Sequence, residues 1–349
     1  MNENVNEMVS VIITSYRGSA HLMRAAESVI YQTYKNIELI VVDDNDPETE
    51  ERKKTEACIE RLKGKFPSFP LLYIQHPQNM NGAVARNTGV QAAQGMYVQL
   101  LDDDDVFFPE KIAVSVEAIK TDKTDGVLTG VVACSNTNIV DISGALLLEG
   151  KKDKRAEMVL DDLIGTGSNL FLKKQVYLEL GGFDTSFRRM QDLEFMMRFF
   201  RKNTCSMIER ILIIKMENER GILHTDYHKQ LDYRCRFWDK YQSDFQQAFT
   251  AEDYRNYFEA EYAHLFKIAL MNPRKEDVLD AKKRLETIRP LSKKESSFVK
   301  YHSIYYRLHK CKWIVVLVRK FKPQQNNDRV KRVELSAPEW MLIKQYLKG

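Results

Sequence analysis

Four carboxylates stand in a row at Asp102 to Asp105, directly after an apolar stretch, in QLLDDDDVFFPEK (99–111). Adjacent like charges repel, and each loses hydration if the strand before it carries it toward a packed interior, so a cation is the natural occupant of the space they face. Magnesium and manganese prefer hard oxygen ligands and typically accept one or two protein carboxylates, with phosphate oxygens and water completing the shell. A D-x-D spacing therefore suits a metal-bound nucleotide diphosphate. If the chain stays extended here, alternation puts Asp102 and Asp104 on one side and Asp103 and Asp105 on the other. The competing reading is a solvated acidic turn that favours the N-terminus of the following helix. Two further acidic sites accompany the tetrad: Asp43, Asp44 and Asp46 in IELIVVDDNDPE, and Asp192 in MQDLEFMMRFFRK.

These residues need a frame that gathers them. VSVIIT (9–14), IELIVVDD (37–44), LLYI (71–74) and MYVQLL (96–101) are short β-branched or apolar runs that predict strands. Between the first two, Leu22, Ala25, Ala26 and Val29 repeat at helical spacing, and AVARNTGVQAAQG predicts a helix ending at Gly95. Pro109 is expected near the first turn of a helix opened by FFPEK. Further on, GVLTGVV and SNLFLKK predict strands, and QVYLELGG and DLEFMMRFFRK predict helices. This alternation predicts an α/β fold, a Rossmann-like, mostly parallel sheet flanked by helices. Ligands of such sheets sit beyond the carboxyl ends of the strands, where both acidic clusters fall.

In order and spacing, VSVIITSYRG, LIVVDDNDPE and NMNGAVARNTGVQAAQGMYVQLLDDDDVFFPEKI resemble the family 2 glycosyltransferases, whose nucleotide-sugar-binding fold is called GT-A. The resemblance runs from Val9 to about residue 225. It implies that Thr14 and Tyr16 line a base pocket and that Asp44 binds the nucleobase edge. It implies a basic group near the nucleotide at Arg86, the nucleoside at Asp102 and the metal, Mn2+ or Mg2+, at Asp104. Asp103 and Asp105 support that site, Asp103 on the nucleotide-sugar side.

Inverting transfer also needs a carboxylate to take the proton of the acceptor hydroxyl as it attacks the anomeric carbon. The resemblance matches Asp192 to that base. Gln191 departs from the family's more usual Glu-Asp pair and cannot titrate. GTGSNLFLKK (165–174) lies where the family places residues near the donor sugar and acceptor, and GGFD (181–184) resembles the turn ahead of the base. His224 and His228 are four apart, and His224 is the candidate for a further contact with metal or diphosphate.

Composition sets the limits. The 349 residues are 44% hydrophobic, and five scattered cysteines without a CxxC pair suggest neither a disulfide framework nor zinc. A reducing cytoplasm is the expected compartment. Neither a secretory leader nor a run near the roughly 18 apolar residues of a spanning helix is evident. Residues 301–349 hold 11 Lys/Arg against 3 Asp/Glu, so the net charge of +4 hides a basic tail. Within it, 305–322 sets an apolar centre between basic clusters, a pattern suited to peripheral contact with an anionic membrane or to packing on the catalytic domain. No module suggests nucleic acid. The expected division is a nucleotide-sugar-binding catalytic domain over 1–230 and a helical region over 231–349.

The resemblance therefore implies transfer of a sugar from a nucleotide diphosphate donor, a UDP-hexose or UDP-N-acetylhexosamine, to a hydroxyl of a glycan or lipid-linked glycan, as in envelope polysaccharide synthesis. A nucleotidyltransferase would be expected to carry a Gly-rich phosphate loop after the first strand, for which SYRGSAHL is poor. A non-catalytic carbohydrate-binding or scaffold descendant is the third reading, kept open by Gln191.

Overall fold

In a computed structural model, residues 7–134, 139–145, 153–216, 226–310, 341 and 343 are described. Strand β1 (Val9–Ser15) pairs in parallel with β2 (Ile37–Asp43) and β4 (Tyr97–Asp102), and β2 pairs in parallel with β3 (Leu71–Gln75). Val9, Val11, Ile13, Leu39, Val41 and Leu101 belong to one buried cluster. Helix α1 (Ser19–Ile30) places Leu22, Ala25, Ala26 and Val29 in the same core, all fully buried, as their spacing predicts. Burying the two large ones contributes about 2 kcal/mol each.

Helix α2 (Glu50–Lys65) is capped by Thr49, whose side chain accepts from Arg52 N, with Glu50 and Glu51 in its first turn and Lys63 and Lys65 in its last. Both charge pairs suit the helix dipole. Helix α3 (Gly82–Ala92) starts at an Asn81 cap that accepts from Ala83 N and Val84 N. It lies so close to the sheet that a Cβ on Gly89 would stand 2.4 Å from Ile12 Cγ2. Small residues on this helix are thus a packing requirement, and they bring the rest of α3 down to the strand ends.

Beyond the tetrad come β5 (Val106–Phe107), α4 (Lys111–Thr121), β6 (Gly126–Cys134) and β7 (Ile139–Gly144). After α5 (Lys154–Leu160) follow β8 (Phe171–Lys173), α6 (Lys174–Glu179), α7 (Gln191–Phe199) and β9 (Cys205–Met216). The sheet runs β3-β2-β1-β4-β8-β6-β9-β5, with β7 paired to β6. Its first four strands are parallel, while β8 joins β4 and β6 antiparallel and β9 runs parallel to β6.

Several local expectations shift. Pro109 sits just outside α4, two residues before its start. The segment SNLFLKK is only partly strand, since Gly167–Asn169 form a 3-10 turn. Strand β9 is an element that sequence reading misses. Its charged pair Glu209 and Arg210 breaks the apolar run, and the register against β6 slips there, with Thr129 opposite Ile208 and Gly130 opposite Ile211.

The chain forms two units, one from 1–151, 161–221 and 329–349, the other from 152–160 and 222–328. A single break after 230 is therefore replaced by an interleaved division, in which α5 belongs with the later helices. That second unit comprises α5, α8 (Tyr227–Lys240), α9 (Gln242–Ala248), α10 (Ala251–Leu270), α11 (Lys275–Glu286), α12 (Lys293–Lys300) and α13 (His302–Lys310). Its core holds buried Phe237, Tyr241, Phe245, Tyr257 and Phe258, and Trp238 Nε1 donates to Tyr257 at 3.1 Å. Arg155 links α5 to α9 through Asp244 at 2.9 Å. Of the basic segment, 311–322 lies outside the described residues. Among the described residues no helix is long and apolar enough to cross a membrane.

A buried amine in the first unit yields a stability prediction. Lys111 is fully buried at the start of α4, and its Nζ donates to Ser115 Oγ at 3.2 Å. Burial pulls its pKa down to about 7, against a smaller upward pull from Cys205. The unfolded value is about 10.4, so between these limits the unfolded chain binds more protons and stability rises with pH. Lys111→Met is expected to be more stable than wild type at pH 7. Its advantage should shrink toward pH 9 by at most about 1.4 kcal/mol per pH unit. Urea unfolding at pH 7, 8 and 9 checks this, and a constant difference between the two proteins would exclude the amine as its source.

Candidate active site

The carboxyl ends of β1 and β4 meet at the acidic tetrad, with Thr14 in register with Asp102. The chain does not continue extended beyond Asp102. Asp105 N donates to Asp102 O at 3.1 Å, closing a tight turn. Even so, Asp102 and Asp104 are the partly exposed members and Asp103 and Asp105 the buried ones. Alternation predicts the right pairs for the wrong reason: the turn, not a strand, sorts them.

Asp105 is the hub of this turn. Its carboxylate accepts from Ser168 Oγ at 2.6 Å, Thr166 Oγ1 at 2.9 Å and Met216 N at 3.3 Å. Burial, then the neighbouring Asp102, pushes its pKa up to about 6, opposed by the two hydroxyl donors and Lys215. Ser168 Oγ also accepts from Asp102 N at 2.9 Å, so one hydroxyl holds both ends of the turn. The loop that supplies it is itself fixed: Asn169 Nδ2 donates to Thr129 O and Ile164 O, and Lys215 Nζ donates to Gly165 O at 2.9 Å. Sequence reading marks GTGSNLFLKK as lying near the donor sugar and acceptor by resemblance, and misses Thr166, Ser168 and Lys215 as partners of the turn.

Asp103 turns inward. It is fully buried against the loop after β1, where a Cβ on Gly18 would lie 1.8 Å from its Oδ2. The turn directs this carboxylate to the interior, whereas Asp102 and Asp104 are the partly exposed pair.

Asp44 is likewise buried. Its Oδ1 accepts from His76 Nδ1 at 2.7 Å and Met80 N at 2.8 Å, and its Oδ2 from Asn79 Nδ2 at 2.8 Å and Asn81 N at 3.0 Å. Four donors fill a carboxylate's usual capacity. In this conformation Asp44 shapes the loop over 76–81, and a nucleobase N–H would have to displace one of these donors to reach it. Asp43 is also consumed internally, by Asn45, Tyr73 and Arg52. Tyr16 is half-buried on the same loop as Gly18, with the Arg17 guanidinium 5.1 Å from its ring centroid.

Arg86 projects from α3 to the same strand ends. Its Nη2 lies 2.7 Å from Asp102 Oδ1, its Nη1 donates to Gln191 Oε1 at 2.8 Å, and the guanidinium sits 5.5 Å from the Phe183 ring centroid. Burial alone would pull its pKa down, yet Asp102 and then Asp192 hold it above the ordinary arginine value. Asp192 is in the first turn of α7, partly exposed, and its Oδ1 accepts from Leu193 N at 2.9 Å. The apolar face of α7 is buried, and fully buried Glu194 forks onto Arg198 at 2.7 and 2.9 Å, so Glu194 is structural. Asn87 holds the GGF turn ahead of this helix, accepting from Phe183 N at 2.8 Å and donating to Phe183 O at 2.9 Å.

The tetrad, Arg86 and Asp192 are thus brought to one edge of the sheet. His224 lies outside the described residues, and His228 on α8 donates through Nε2 to Asp277 Oδ1 on α11 at 2.9 Å. Among the described residues no group of three or more His, Cys, Asp or Glu is set to hold a metal ion. The oxygen donors of Asp104, at the partly exposed tip of the turn, fit a hard cation whose shell a diphosphate completes, as distinct from a protein-enclosed one. The Asp104 carbonyl accepts from Arg24 Nη2 at 3.3 Å, which steadies the tip through the backbone.

Comparison with known proteins bears on the family and the fold. An uncharacterized glycosyltransferase of Haemophilus influenzae is 26% identical over 232 residues, covering 65% of this chain and 75% of that protein. The Escherichia coli UDP-Glc:alpha-D-GlcNAc-diphosphoundecaprenol beta-1,3-glucosyltransferase WfaP is 32% identical over 117 residues, covering 34% of this chain and 43% of its own. The mannosyltransferase PcManGT from Pyrobaculum calidifontis, solved with GDP-Man and Mn2+, shares the fold with a TM-score of 0.52 at 15% identity, over 89% of this chain and 83% of that one. The fold is GT-A. The model of glycosyl transferase family 2 matches residues 10–181, and over that segment, which carries the tetrad, Arg86 and the loop around Ser168, the chain is recognised as similar to the family.

Proposed function

We propose that this chain is an inverting, metal-dependent glycosyltransferase that moves a sugar from a nucleotide diphosphate donor, a UDP-hexose or UDP-N-acetylhexosamine, to a hydroxyl of a glycan or lipid-linked glycan. The observation that carries the reading is the convergence of a partly exposed aspartate turn and a partly exposed Asp192 on one sheet edge, tied by Arg86. Asp104 would hold Mn2+ or Mg2+, and a cation there supplies charge stabilisation to the departing diphosphate. Asp102, with Thr14, Tyr16 and Arg86 around it, faces the nucleoside, and Asp44 builds the pocket wall. Asp192 takes the proton of the acceptor hydroxyl while its oxygen attacks the anomeric carbon and the bond to the diphosphate breaks.

Support for the donor class comes from WfaP, named for UDP-Glc, and from PcManGT, solved with GDP-Man. Support for a lipid-linked acceptor comes from the diphosphoundecaprenol in the name of WfaP, a protein of which this chain spans less than half. A cytoplasmic site of action and peripheral membrane contact through 305–322 belong to the same reading. The test is release of nucleoside diphosphate from a panel of UDP- and GDP-sugars with manganese, with magnesium and with chelator. Metal-dependent release from one donor is expected; release that persists undiminished in chelator would overturn the metal dependence, and no release even with a polyprenyl-diphosphate glycan acceptor would overturn the enzyme reading.

A further inference from the structure

Arg86 does more than neutralise one aspartate. Its two Nη groups reach partners that are far apart in sequence, Asp102 at the end of β4 and Gln191 at the start of α7, at 2.7 and 2.8 Å. The Gln191 amide is used at both ends: Oε1 accepts from Arg86 and Nε2 donates to Phe187 O at 2.7 Å. That pair of contacts defines the amide's orientation. A carboxylate at 191 would keep the arginine contact but face the Phe187 carbonyl with an acceptor, and it would set a second negative charge beside Asp192. A lysine at 86 would lack the planar fork that serves two acceptors at once.

We propose that Arg86 and Gln191 form a staple that fixes Asp192 relative to the aspartate turn, and that Gln191 is a positioning residue acting through Arg86. This inference rests on the transferase reading of the same site. The physical reason is geometric. The donor side is carried by the turn after β4 and the proton acceptor by α7, two segments about ninety residues apart in the chain that no shared backbone hydrogen bond aligns among the described residues. Small misplacement of a base costs on the order of 10²-fold in rate. The left-handed Met190 (φ 57°) immediately before α7 shows that the helix start is bent into place and not merely continued from the preceding turn.

The test compares Gln191→Ala, Gln191→Glu, Arg86→Ala and the Arg86→Ala/Gln191→Ala double variant in steady-state transfer. For Gln191→Ala, kcat is expected to fall about 10- to 100-fold with the donor KM within about threefold of wild type. Gln191→Glu should recover part of that loss, since it keeps the arginine contact but cannot donate to the Phe187 carbonyl. In the Arg86→Ala background, removing Gln191 should change kcat by less than about threefold, because the pair acts as a unit. A kcat for Gln191→Ala equal to wild type, or the same fold loss in both backgrounds, would overturn the staple. Hydrogen exchange of the 187–195 amides gives an answer that needs no turnover. Protection there should drop about tenfold in Gln191→Ala and in Arg86→Ala, in line with loss of a charge-assisted hydrogen bond, and fall less in Gln191→Glu, which keeps the arginine contact. Unchanged protection in both alanine variants overturns the inference, whereas a wild-type protein inert toward every donor overturns the transferase reading and leaves the exchange result to decide the staple.

Discussion

Asp192→Asn is expected to lower transfer by about 10²- to 10⁴-fold, the range that general base catalysis supplies, while nucleoside diphosphate binding stays close to wild type. The change is nearly isosteric. Asn Oδ1 can still accept from Leu193 N, the one hydrogen bond that the Asp192 side chain makes to the start of α7, so the helix has no reason to fray. What is lost is a group able to hold a proton during attack. Product formation measured with saturating donor and acceptor, beside calorimetric binding of the nucleoside diphosphate with metal, separates the two effects. Transfer at the wild-type rate would remove Asp192 from the role of base. Loss of both transfer and binding would instead place it on the donor side.

The second large effect concerns the tip of the turn. Asp104→Ala is expected to abolish metal-dependent use of the donor, with a loss of at least about 10²-fold in kcat/KM, since charge stabilisation by a bound cation contributes several kcal/mol. The turn itself should survive. Its closure by Asp105 N to Asp102 O and its grip by Ser168 and Thr166 are made by other groups than the Asp104 carboxylate. Asp105→Ala should behave differently. It strips the acceptor from Thr166, Ser168 and Met216 N, leaving buried donors unsatisfied at a cost of about 1–3 kcal/mol each. Activity in graded manganese, together with thermal unfolding, distinguishes the variants: Asp104→Ala loses the manganese response, and Asp105→Ala shows the larger loss of stability. An Asp104→Ala protein with the wild-type manganese response would remove that residue as the ligand.

The same numbers explain why adjacent aspartates in one tetrad have different fates. The turn sends Asp103 against Gly18 and Asp105 into a ring of hydroxyls, so two of four charges are taken into the interior. The remaining pair is partly exposed at the strand ends, with Arg86 2.7 Å from Asp102. A divalent cation at this turn would meet a small number of carboxylates, which suits the proposed metal shared with a diphosphate.

By itself, the sequence determined the parallel core of the fold. Strand, helix and strand over 9–43 are legible because apolar periodicity and burial are local properties: every residue of β2 is buried, and the apolar spacing of α1 is the spacing of its contacts with the sheet. Motif order also put the tetrad and Asp192 on the right elements. The tertiary structure alone decided which carboxylates are available. Asp44 reads as a pocket residue, yet its partners come from 76–81, more than thirty residues away, and they fill its lone pairs. Arg86 reads as a basic group near a nucleotide, and its partners lie 16 and 105 residues away. The hydroxyls on Asp105 come from a loop more than sixty residues on, and the strand that supplies Met216 N is hidden by a charged bulge in its sequence pattern. A side chain's type sets which hydrogen bonds it can make; the fold sets which donors and acceptors arrive to make them, and for polar residues at strand ends those arrive from distant segments.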